Sequence, residues 1–100
     1  MICIAVTYVV KQGHEEEAVH LFAKLTTATR AELGCRMYLA HRSITEPRKF
    51  FLYEQYDDAS AMDFHRASHH FAQYAAGGLF GIVESRIPEL YEPLEDVIIA

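Results

Sequence analysis

Residues 2–10 constrain this chain more than any other stretch. Ile2, Ile4, Val6, Tyr8 and Val10 alternate with Cys3, Ala5, Thr7 and Val9, and such a β-branched run specifies a strand. Both of its sides are apolar or small. A sheet built on it therefore needs cover on both faces. Gly13 ends the strand, and Glu15, Glu16 and Glu17 put negative charge where a helix N-terminus favours it. Ala18, Leu21, Phe22, Leu25 and Ala28 then form one apolar stripe at helical spacing. Gly34 stands where a helix C-terminus accepts a positive φ. Residues 35–44 and 50–56 read as an antiparallel hairpin across the turn Thr45-Glu46-Pro47-Arg48. Asp57 and Asp58 offer N-caps for a helix running through Met62 and Phe64 to Arg66. Ser68 caps a further short helix with Phe71 and Tyr74, which Gly77-Gly78 breaks. A fourth strand lies within 85–92, and Pro88 makes it short or an edge.

The order is β-α-β-β-α-β, which specifies an α+β, ferredoxin-like fold with an antiparallel sheet, as one domain over residues 1–100. Its helices cover one face of the sheet. In the third strand Phe50 and Leu52 point one way and Phe51 and Tyr53 the other, so the second face is apolar too. Hydrophobic residues make up 51% of the 100, while a domain of this size buries only roughly 60–65% of its unfolded surface. The surplus calls for a homodimer whose sheets pack face to face. The tail Val97-Ile98-Ile99 is apolar, and residues 94–100 are expected to dock on their own sheet or on the partner's. The net charge of −5 and the lack of a dense Lys/Arg patch argue against nucleic acid. No apolar run reaches the ~18 residues of a membrane span. The start has no basic leader, and Cys3 and Cys35 read as buried, reduced thiols, so the expected location is cytoplasmic.

One ordered set of residues carries a family resemblance. Residues 51–58, Phe-Leu-Tyr-Glu-Gln-Tyr-Asp-Asp, are followed by Ala61-Met62, Phe64-His65 and Ser68-His69-His70-Phe71. Upstream stand Glu32-Leu33-Gly34-Cys35 and Tyr38. Together these resemble the antibiotic biosynthesis monooxygenase domain over roughly residues 2–92. There an apolar strand ends in Glu-x-aromatic, a helix carries a His, and Thr-Pro-His precedes an aromatic or apolar residue. His69 replaces the usual Pro, and Tyr56 the commoner Trp. The chain has no Trp, which sets it apart from the haem-degrading branch with its Asn–Trp–His set. The resemblance implies a dimeric α+β barrel. It also implies kinship with quinol and anthrone oxygenases that need no metal or flavin, and with an isomerase of a phosphorylated autoinducer-2 product.

The candidate catalytic residues are His65, His70 and Glu54. Helical spacing puts His65 on the stripe of Ala61 and Met62, facing the sheet. It reads either as a core histidine satisfied by one hydrogen bond or as a general base. His70, in the first turn of the short helix, either orients His65, binds a polar group of the substrate, or is a surface residue. Glu54 shares a strand side with Phe50, Leu52 and Tyr56; buried, it must be paired or protonated. Tyr38, Tyr56, Phe71 and Tyr74 are candidates to line a pocket for a flat ring, or are simply core. No Cys or acidic residue joins His65, His69 and His70 at metal-ligand spacing, and no Gly-rich nucleotide loop is present, so neither metal nor other cofactor is expected. Three functions follow: a cofactor-independent quinol or anthrone monooxygenase acting through His65; an isomerase of a small phosphorylated carbonyl compound, with Arg36, Arg42 or Lys49 as phosphate cations; or a non-catalytic ligand-binding dimer.

Overall fold

The structure is a computed structural model and describes residues 1–94. The elements run β1 (Ile2–Val10), α1 (Glu15–Arg30), β2 (Cys35–Arg42), β3 (Lys49–Tyr56) and α2 (Ala59–Arg66), then a π-helical segment (Phe71–Ala76), a 3-10 turn (Leu79–Ile82) and β4 (Val83–Tyr91). All strand pairs are antiparallel, in the order β2-β3-β1-β4. This is the ferredoxin-like α+β arrangement that the element order specifies. The strand that is apolar on both sides takes an inner position. β4 lies at the edge, where Pro88 opposite Val6 interrupts no ladder on its free side. It runs for nine residues, so of the two alternatives that Pro88 allows, a short strand or an edge, the structure takes the edge.

Several local devices differ from their sequence reading. Gly34 does not adopt a positive φ; among the described glycines only Gly13 does, at 89°. A Cβ on Gly34 would lie 2.4 Å from the Ala61 Cβ, so its bare backbone is what lets α2 approach the end of α1. Asp58 caps α2 by accepting from the Ala61 amide at 2.8 Å. Asp57 instead pairs with Arg36. Strand β2 stops at Arg42, and Ile44 is exposed in the turn. The Ser68 hydroxyl accepts from the Phe71 amide at 3.2 Å and starts the last helical segment, which is wound as a π-helix.

The core lies between the sheet and the helices. Ile4, Val6, Tyr8 and Val10 of β1 and Phe50 and Leu52 of β3 are buried there beneath Phe22 and Leu25 of α1. Phe22 meets Tyr8 edge-on and stacks on Phe50, each with centroids 5.4 Å apart. Burying one such ring contributes about 1.5–3 kcal/mol. On the opposite face Met37, Leu39, Phe51 and Ile87 are 38–58% exposed, an apolar patch across three strands. Cys3 and Cys35 are free thiols, Cys3 buried and Cys35 partly so. No described helix is long and apolar enough to cross a membrane. The tail Val97-Ile98-Ile99 lies outside the described residues.

Candidate active site

Four elements converge on one point beneath the sheet. The alternation of β3 turns Glu54 and Tyr56 inward in the same row as Phe50 and Leu52. Register places Tyr38 of β2 opposite Glu54. His65, one turn beyond Ala61, is the one buried residue of α2. Glu32 arrives from the turn after α1, where its amide bonds to the Thr29 carbonyl and holds it close to the helix end.

The side chains form a connected network. His65 Nδ1 lies 2.8 Å from Glu32 Oε2, and His70 Nε2 lies 2.5 Å from the same oxygen. With Glu32 as acceptor, Nδ1 of His65 carries the proton, and the lone pair of Nε2 faces Glu54 Oε1 at 3.6 Å. The Tyr56 hydroxyl donates to that Glu54 oxygen at 2.6 Å. The His65 ring is boxed by Tyr56, Phe71 and Tyr38 at 5.1, 5.3 and 6.0 Å. On its Nε2 side opens a cavity of about 360 Å³ whose walls include Tyr8, Tyr38, Glu54, Phe71 and Phe80. A separate surface groove reaches Glu32 and His70 between Leu33 and Phe64.

Burial sets the protonation states. It pushes the Glu54 carboxyl up to about 7, against the Tyr56 hydrogen bond and the charges of Arg86 and Arg66. It also pulls His65 below its ordinary value, against the opposing hydrogen bond and charge of Glu32. Tyr38 is raised by burial and by Glu54. A neutral imidazole, fixed in one tautomer and aimed at a lined cavity, is equipped to accept a proton there.

The expected residues divide as follows. His65, Glu54, Tyr38 and Phe71 line the cavity. Tyr56 stands behind it and orients Glu54. Tyr74 packs against the core and does not line this cavity. His70 reaches the site only through Glu32, from the groove side. Arg36, Arg42 and Lys49, offered as phosphate cations, pair with Asp57, Glu16 and Glu46 and lie off the cavity. Sequence reasoning does not single out Glu32 as a chemical group: an acid two residues before a glycine at a helix end reads as solvated, and only the packing of α2 buries it.

Glu32 also corrects the view that no acid joins the histidines. Its oxygen and the nitrogens of His65 and His70 lie within 4.8 Å of one another. Separations of 2.8 and 2.5 Å are hydrogen-bond lengths; ligands around a tetrahedral metal stand roughly 3.3 Å apart. His69 is not in this group; α2 ends at Arg66, so no single helix carries His65 and His69 together.

Comparison with known proteins gives a consistent picture. The family model described as antibiotic biosynthesis monooxygenase matches residues 1–77. Among solved structures, the protein SO0527 from Shewanella oneidensis is 31% identical with a TM-score of 0.83, over 90% of this chain and 87% of that one. Rv0793 from Mycobacterium tuberculosis is 26% identical, with a TM-score of 0.85 over 93% and 94% of the two chains. PA3566 from Pseudomonas aeruginosa is 24% identical, with a TM-score of 0.87 over 93% of each; it is alike in fold. No curated protein sequence matches.

Proposed function

The chain belongs to the antibiotic biosynthesis monooxygenase family, and from that premise we propose that it is a cofactor-independent monooxygenase of a small aromatic quinol or anthrone-like compound, with His65 as the base. One observation carries the reading. His65 is buried, its Nδ1 is tied to Glu32, and its Nε2 faces the aromatic-lined cavity.

The chemistry follows from that geometry. A ring held between Tyr38 and Phe71 presents its acidic O–H or C–H to Nε2. The imidazole takes the proton, and Glu32 stabilises the imidazolium through the Nδ1–H bond. The resulting anion is rich enough in electrons to reduce O2 directly. For an anthrone, one oxygen atom replaces the two hydrogens of the CH2 carbon as C=O, and the other leaves with both hydrogens as water. Glu54, driven toward its neutral form and held by Tyr56, offers a hydrogen bond to the oxygen that gains charge. Catalytic roles fall to His65 and Glu54, and His70 is a positioning residue acting through Glu32. The test is oxygen uptake by the purified protein with 1,4-dihydroxynaphthalene and with anthrone. Stoichiometric uptake with either supports the reading; none above the uncatalysed rate with both contradicts it.

A further inference from the structure

Arg66 and Arg86 border the same cavity. Arg86 lies on the inward side of β4, opposite Tyr8. Its guanidinium sits 4.4 Å from the Phe80 ring centroid and within reach of the Tyr8 hydroxyl. Stacking on an aromatic face fixes the plane of the guanidinium fork. Arg66 is the last residue of α2, directly after His65. Among the described residues neither makes an ion pair, whereas Arg36, Arg42, Arg48 and Lys49 each have a carboxylate partner. Lys11, Lys24 and Arg30 make none either, but those three do not border this cavity, whereas Arg66 and Arg86 both do. The cavity's own carboxylate, Glu54, feels the charge of both guanidiniums but is held by Tyr56, faces His65 and makes no ion pair with either arginine.

We propose that the substrate carries an anionic oxyanion substituent, which Arg66 and Arg86 bind at the cavity mouth while the ring lies among Tyr8, Tyr38, Phe71 and Phe80. This rests on the reading of the cavity as the substrate site and narrows its class to aromatic acids. A carboxylate and a phosphate share the chemistry: a planar fork meets two oxygens with two charge-assisted hydrogen bonds. The anchor would set the register of the ring, so that its acidic hydrogen falls at His65 Nε2.

The test uses air-stable probes and needs no turnover. Calorimetric titration compares 1-hydroxy-2-naphthoate and 1-naphthyl phosphate with neutral 1-naphthol, on the wild type and on the Arg66→Gln/Arg86→Gln double variant. At least one anion should bind about tenfold or more tightly than 1-naphthol, about 1.4 kcal/mol. Whichever anion is preferred identifies carboxylate or phosphate as the group. The preference should shrink as salt rises and vanish in the double variant, with 1-naphthol affinity unchanged. Equal affinity for anion and neutral probe, no binding of any probe, or a preference that survives the double substitution would overturn the proposal. If the variant does not fold, the wild-type preference and its salt dependence decide. A protein that prefers the anion yet consumes no oxygen contradicts only the oxygenase reading. One that oxidises dihydroxynaphthalene without the preference contradicts only the anion site.

Discussion

At the scale of single residues, the buried network makes stability depend on pH in a definite direction. Glu54 titrates from an ordinary 4.5 up to about 7 in the fold. Between those values the native state holds more protons than the unfolded chain, so this group's contribution to stability falls as pH rises. Glu54→Gln, with no proton to lose, should remove that decline. Denaturant titrations from pH 4.5 to 7.5 should show the variant gaining on the wild type by about 1–3 kcal/mol; parallel curves would contradict it. Glu32→Ala should cost about 1–3 kcal/mol because it removes the acceptor of two imidazoles. Glu32→Gln should recover part of that loss, since its carbonyl still accepts from His65; equal losses in the two variants would speak against the shared acceptor. His65 and Glu54 were legible in the sequence, because helix and strand periods place them inward. Glu32, Arg66 and Arg86 were not. Each stands at an element end or on an edge strand, where periodicity does not separate a cavity wall from solvent.

At the scale of elements, the sequence carried the strands and helices well because alternation and helical spacing are strong in this chain. Residues 2–10 and the start of α1 fall where the pattern places them. The misread features are those that depend on tertiary approach. Gly34 looked like a left-handed helix end but is a gap that Ala61 fills. Gly34→Ala should therefore destabilise by about 1–3 kcal/mol through overpacking, and should also lower turnover, because α2 carries His65 toward Glu32. A Gly34→Ala protein with unchanged melting temperature would show that the junction has slack. Asp58→Ala, which removes only the cap, should cost about 0.5–2 kcal/mol and leave the turnover of folded protein close to wild type. Likewise, no local rule predicts that the segment after Ser68 winds as a π-helix, although that segment carries Phe71 to the cavity wall.

At the scale of the whole molecule, the sheet's outer face bears on the expected dimer and its inner face on the proposed chemistry. Met37, Leu39, Phe51 and Ile87 leave an apolar surface that a second copy of the chain would cover. Sedimentation at micromolar concentration should give a dimer, and Phe51→Glu should shift it toward monomer; a stable wild-type monomer would contradict the proposed pairing. On the inner face the question is whether His65 is a core histidine or a base. The two make opposite forecasts for His65→Ala. A core histidine lost to alanine lowers stability and leaves the turnover of folded molecules nearly intact. A base lost to alanine removes about 10²–10⁴-fold of rate from molecules that remain folded. The decisive measurement is oxygen consumed per folded chain with 1,4-dihydroxynaphthalene or anthrone, wild type against His65→Ala. A fall of at least about a hundredfold is the predicted result, and equal rates would remove His65 from the mechanism.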